Sequence, residues 1–213
     1  MKTLLTTLLI VFCLNTIYGQ KRKIFSLSPM TGDTEQVNGL VVGVGHFQES
    51  QYVQRVNGIN IDLMVLSPMV VLYSLDGKHS EERTGLKLIS NGLNLAVGGY
   101  MEGTVHNGLS FAMYNFSDKI NGLSVNATYN RVVSMNGLHI SGFGNFSESA
   151  HGINIGISNR NDYMKGIQLG VYNASTDFTG LQIGIYNKTN ALSGLQLGFW
   201  NKNGSRSLPF INF

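Results

Sequence analysis

Between residues 85 and 203, apolar and polar side chains alternate in short runs that restart at regular intervals. In the run from Gly180 to Asn187, Leu181, Ile183 and Ile185 are separated by Gln182, Gly184 and Tyr186. Successive side chains of an extended strand point to opposite faces, so this period of two describes a strand with one buried face. It predicts that Leu181, Ile183 and Ile185 face the core, with Gln182, Gly184 and Tyr186 on the other side. A helix would need a spacing near 3.6 residues.

The run recurs along the chain. Gly92, Gly108, Gly122, Gly137, Gly152, Gly166, Gly180 and Gly194 open successive units, and the last three units read Gly-Ile-Gln-Leu-Gly-Val-Tyr-Asn, Gly-Leu-Gln-Ile-Gly-Ile-Tyr-Asn and Gly-Leu-Gln-Leu-Gly-Phe-Trp-Asn. Asn115, Asn159, Asn173, Asn187 and Asn201 stand seven residues after their glycine, whereas Asn130 and Asn145 stand eight after theirs. One extra residue fits a β-bulge. Glycine suits a left-handed or tightly bent backbone, and asparagine suits a turn because its side chain hydrogen-bonds locally. An apolar residue two places before the glycine, as at Ile120, Met135, Met164, Phe178 and Leu192, is placed to plug the core from the returning segment.

Three or four apolar side chains at roughly 1.5–3 kcal/mol each cannot offset backbone ordering of about 1–2 kcal/mol per residue over one unit. Units must therefore stack, and stability belongs to the array. The expected fold is all-β, a parallel β-solenoid or β-roll of ~14-residue coils. An antiparallel meander or outer-membrane β-barrel is the alternative, because it uses the same alternating strand. The chain divides into a signal segment at 1–19, a β region with degenerate repeats at 20–84, a regular array at 85–203 and a cap at 204–213. An older duplication also runs through the N-terminal part, where Leu27-Ser28-Pro29-Met30 recurs as Leu66-Ser67-Pro68-Met69.

These units, with the ending Arg206-Ser207-Leu208-Pro209-Phe210-Ile211-Asn212-Phe213, resemble an uncharacterised bacterial surface-repeat family with Gly-Leu-Gln-Ile-Gly-Leu-Tyr-Asn-type repeats. The resemblance implies surface location and supplies no activity or catalytic residue. The period alone is also similar to the β-roll heads of trimeric adhesins.

The termini and composition narrow the role. Lys2 followed by apolar Leu4 to Leu14 and small Gly19 has the form of an export signal, so the expected location is exported: cell surface, outer membrane or extracellular. The single cysteine, Cys13, falls inside that signal, which removes disulfides and thiolate chemistry from the mature chain. Charged residues make up only 13% of the sequence, and loss of Lys2 takes the formal charge from +3 to +2. Such a balance offers no basic face for nucleic acid, while membrane association stays compatible with it.

Little catalytic chemistry is visible. His46, His79, His106, His139 and His151 fall in no metal-binding spacing and read as surface or turn residues. Asp118, Glu148, Asp162 and Asp177 occur one per connection; stacked carboxylates would repel unless a cation such as calcium lay between them. The reading is a non-enzymatic scaffold without cofactor, metal or catalytic residues. Its binding candidates are Tyr114, Tyr129, Tyr172, Tyr186 and Trp200, each just before a turn asparagine and able to form an aromatic stripe for a surface glycan or protein partner. The same rings could instead cover neighbouring glycines.

Overall fold

The computed structural model describes residues 21–45, 50, 52–64, 85–204 and 206–213. The signal segment, the second Leu-Ser-Pro-Met copy, His46 and His79 lie outside the described residues. Ten strands form one sheet in chain order: β1 (Arg22–Ser28), β2 (Gln36–Gly43), β3 (Gln54–Asp62), β4 (Leu88–Ala96), β5 (Thr104–Ala112), β6 (Lys119–Asn126), β7 (Tyr129–Ser141), β8 (Gly144–Ile155), β9 (Ser158–Asn203) and β10 (Arg206–Asn212).

Every pairing from β1 to β9 is parallel. Parallel neighbours require the chain to travel round and return between them. Each unit is therefore one coil of a parallel β-solenoid, and the long β9 continues through the last regular repeats as unbroken extended chain. Pairing direction overturns the antiparallel barrel alternative, because the one antiparallel pair among the described strands is β9 with β10. After the turn at Gly204, β10 folds back along the last coil and covers its open edge.

Register is set by glycine. Gly39, Gly58, Gly92, Gly108, Gly122, Gly137, Gly152 and Gly166 pair in a single column, and Gly180 and Gly194 extend it. All ten have φ between +117° and +153°. A Cβ on any of them after Gly39 would lie well under 3.0 Å from the carbonyl oxygen of the preceding column glycine. Both the φ and the close approach demand glycine.

The strand faces are the reverse of the expectation. Ile183 and Ile185 are 39% and 58% exposed, whereas Gln182 is fully buried. The second residue after each glycine points inward, and except for Val41 this column is polar: Asn60, Asn94, Ser110, Ser124, His139, Asn154, Gln168, Gln182 and Gln196 are all buried.

Stacked amides explain how the interior tolerates this. Gln182 donates to Gln168 Oε1 at 2.6 Å, Gln196 donates to Gln182 Oε1 at 2.7 Å, and Asn212 of β10 ends the row by donating to Gln196 at 2.9 Å. The turn asparagines form a second buried ladder, in which Asn145, Asn159, Asn173 and Asn187 each donate to the next asparagine at 2.8–2.9 Å. Their second amide protons go to the carbonyls of Ile155, Leu169, Ile183 and Leu197, each at 2.9 Å. Buried amides saturated in this way carry little desolvation cost.

The apolar interior is narrow. Ile120, Met135, Ala150, Met164 and Phe178 fill the column two places before the glycine, with Val132 opposite and Leu192 packed at the end. That part of the expectation holds. Among the described residues, a second cluster of Met30, Val37, Val41, Val56, Leu88 and Tyr100 fills the N-terminal coils.

Two histidines expected at the surface or in turns are interior. His106 and His139 are fully buried because they occupy inward columns. Ser124 and His139 Nδ1 share a hydrogen bond of 2.8 Å, and His139 Nε2 and both ring nitrogens of His106 meet no partner of normal geometry. Burial lowers both imidazoles to a pKa of about 4. His151 alone of the described three is exposed.

The reversed faces have a direct consequence for mutation. Gln182→Leu strands the Gln196 donor and the Gln168 acceptor and should cost about 2–5 kcal/mol, whereas Ile183→Thr should stay within about 0.5 kcal/mol; urea unfolding of the two variants measures the difference. The histidines set a pH dependence. Their folded pKa lies below the unfolded value of 6.5, so stability is complete above that pH and falls as pH drops towards 4, by about 3 kcal/mol per histidine at most. Denaturation midpoints between pH 7 and 4 should fall for the wild type, and the slope should flatten in His106→Leu.

Candidate binding cleft at the asparagine corner

Each turn asparagine is buried at a corner of the coil, and the residues on either side of it point away from the asparagine ladder. The five aromatic candidates occupy the place before it, but they do not form one stripe. Tyr114 is fully buried, stacks on Phe116 at 4.8 Å and is part of the fold. Tyr172 and Tyr186 stack at 5.7 Å with planes 4° apart, and Trp200, 42% exposed, donates from Nε1 to Ser207 Oγ at 2.8 Å. Tyr129 is separated from this group because the next two coils carry Gly144 and Ser158 in the same column.

That interruption opens a cleft of about 830 Å³. Its apolar wall comes from Tyr129, Phe143, Phe146 and Ile157. The column after the asparagine reads Phe116, Arg131, Phe146, Arg160, and the Arg131 guanidinium sits 5.6 Å from the Phe146 ring centre. Arg160 lies 5.0 Å from the Tyr172 ring and, with Asp162, also lines a shallower depression of about 240 Å³ that continues the cleft past Tyr172 and Lys188. Cationic groups over ring faces in this way hold both partners in place.

The extra residue in the fifteen-residue coils shapes the opening. It falls at the corner, within 126–128 and 141–143, where the fourteen-residue coil has only Gly156 and Ile157 between the same paired positions. The structure therefore has a widened corner where a strand bulge was expected. At the second of these corners the wider bend carries Phe143, half exposed, to the mouth of the cleft.

Polar groups line the rest. Asp118, Glu148 and Asp162 sit three residues after their asparagines, and pairing of Ser147 with Asn161 and Ser149 with Tyr163 places Glu148 beside Asp162 on successive coils. Asp177 lies exposed and off this column. Among the described residues, no three His, Cys, Asp or Glu side chains gather as a metal site would require. Ser117, buried, and Ser158 both line the cleft with hydroxyls that have no hydrogen-bond partner. A buried hydroxyl without a partner is costly unless something else satisfies it.

The chain matches no family model, no curated protein and no solved structure. The β-solenoid repeat architecture is established from its own geometry. Sequence reasoning found Tyr129 but missed Arg131, Phe143, Phe146, Arg160 and the two serines. The available signal was the missing aromatic at Gly144 and Ser158, together with the asparagines displaced to the eighth position.

The aromatic column thus contains two kinds of residue, which truncation separates. Tyr114→Ala should cost about 3–5 kcal/mol as a core truncation, while Tyr186→Ala should cost no more than about 1 kcal/mol, as read from thermal or urea unfolding.

Proposed function

We propose that this β-solenoid is an exported, non-enzymatic scaffold that presents the asparagine-corner cleft to a glycan at the cell surface. The observation that carries the reading is the gap in the aromatic column at Gly144 and Ser158, which turns a continuous ridge into a cleft walled by Tyr129, Phe143 and Phe146. Sugar rings present C–H faces that pack on aromatic π-faces. Their hydroxyl pairs match the fork of a guanidinium or the two oxygens of a carboxylate, here offered by Arg131, Arg160, Glu148 and Asp162. The Ser117 and Ser158 hydroxyls supply further partners. The volume falls within the range of ligand pockets, roughly 300–1,000 Å³.

A binding role also accords with what lines the cleft. Among the described residues no histidine does so, and those nearest in sequence, His139 and His151, are respectively interior and on another column. Tyr172, Tyr186 and Trp200 extend the aromatic surface beyond Arg160 and would meet the next sugars of a longer chain.

Ser158→Tyr puts an aromatic ring back at one of the two vacant places in the column and should block the cleft while leaving the interior intact. On an oligosaccharide array followed by calorimetry, the wild type should retain a glycan that Ser158→Tyr and Phe146→Ala bind at least tenfold more weakly, with unchanged circular dichroism. Equal binding by all three proteins, or no retained glycan for the wild type, would refute the proposal.

A further inference from the structure

The side of each coil that follows the column glycine carries no outward charge. The first and third residues after each of the ten column glycines, from Leu40 and Val42 to Leu195 and Leu197, are Leu, Ile, Val or Phe without exception, and the fifth is uncharged in every coil from Val44 to Phe199. These side chains point away from the interior, and Leu109, Phe111, Ile183, Ile185 and Phe199 are 39–70% exposed. Nine intervals of ~4.8 Å by about five extended residues make a face of roughly 43 by 17 Å, ~700 Å². Contiguous apolar patches on soluble monomers seldom exceed about 300–600 Å². A face of this size and purity is made to be covered.

We propose that a second copy of this chain covers it, the two sheets packing face to face about a twofold axis. Three observations select this occupant. Doubling the footprint gives ~1,400 Å² of buried surface, within the 1,200–2,000 Å² of stable protein interfaces. The face is ridged by coils at one fixed pitch, and the surface that matches that pitch along its whole length is the same surface on another copy, as in sheets packed ~10 Å apart. Finally, the column bordering the face on its glycine side carries a single charge: Asn38, Asn57, Asn91, Asn107, Asn121 and Asn136 form an outer amide ladder at 2.5–2.8 Å, followed by His151, Lys165, Thr179 and Ser193. A face that lies on a membrane is rimmed by basic residues. With one lysine in ten positions, the glycine-side edge lacks such a rim and fits a protein neighbour.

The outward positions are free to mutate without disturbing the interior, which makes the dimer separable from the fold. Sedimentation velocity of the exported chain in detergent-free buffer should give a dimer at micromolar concentration. Leu109→Lys/Leu138→Lys/Ile183→Lys should raise its dissociation constant at least 100-fold with the β-sheet circular dichroism unchanged, and the milder Thr substitutions at the same three sites serve if the lysine variant does not fold. A wild-type monomer at 50 μM or more overturns the proposal, as does a dimer indifferent to both sets of substitutions. So does a wild type that requires detergent or is taken up as a monomer by neutral phosphatidylcholine vesicles, either of which identifies lipid as the occupant. None of the three sites lines the corner cleft, so glycan binding by the monomeric variant is read independently.

Discussion

The backbones of successive coils meet at the glycine column, where each residue has positive φ and a carbonyl oxygen where a Cβ would be. This contact fixes which residue lies above which, and a slip of one place would drive a side chain into the backbone beside it. All other regularities follow from that alignment. Asparagine can donate to asparagine and glutamine to glutamine only because equivalent positions recur at one hydrogen-bonded spacing. The array is consequently held by matched rows, with each coil supplying one member of each row.

Such rows permit an interior that a single strand could not sustain. An isolated buried glutamine would leave its amide unsatisfied, yet Gln168, Gln182 and Gln196 satisfy one another and end on Asn212. The corner asparagines do the same and also take up backbone carbonyls. Polar side chains thus occupy the space that Leu and Ile would otherwise fill, and the apolar residues of the strand are left on the outside. Where the rows are imperfect, the interior holds less well-satisfied groups: His106 and His139 sit in inward columns with pKa values held down to about 4. The corner follows the same logic. Replacing a stacked aromatic by Gly144 and Ser158 removes two members of an outer row, and the vacancy is the cleft.

Much of this is legible in the sequence alone. The period of two, the spacing of the glycines and the recurrence of asparagine define the strand, the coil and its turn, because these depend on backbone geometry local to one unit. The plug at Ile120, Met135, Met164 and Phe178 was legible too, since an isolated apolar residue in a polar connection has few other uses. The cleft was only half legible. Tyr129 belongs to the repeat pattern, but Arg131, Phe146 and Arg160 become neighbours only when the coils stack in register, and Phe143 joins them from the corner of a fifteen-residue coil, which no single unit displays.

By itself, the sequence determined that the protein is an array of short β units and where each unit begins and turns, because glycine, asparagine and alternation act on the chain within a few residues. Tertiary structure alone decided that neighbouring strands run parallel and that the amides face inward while Leu and Ile face out. The alternation is symmetrical with respect to the two faces, and the term that chooses between them, hydrogen bonding from one side-chain amide to its copy on the next coil, exists only once the coils are stacked.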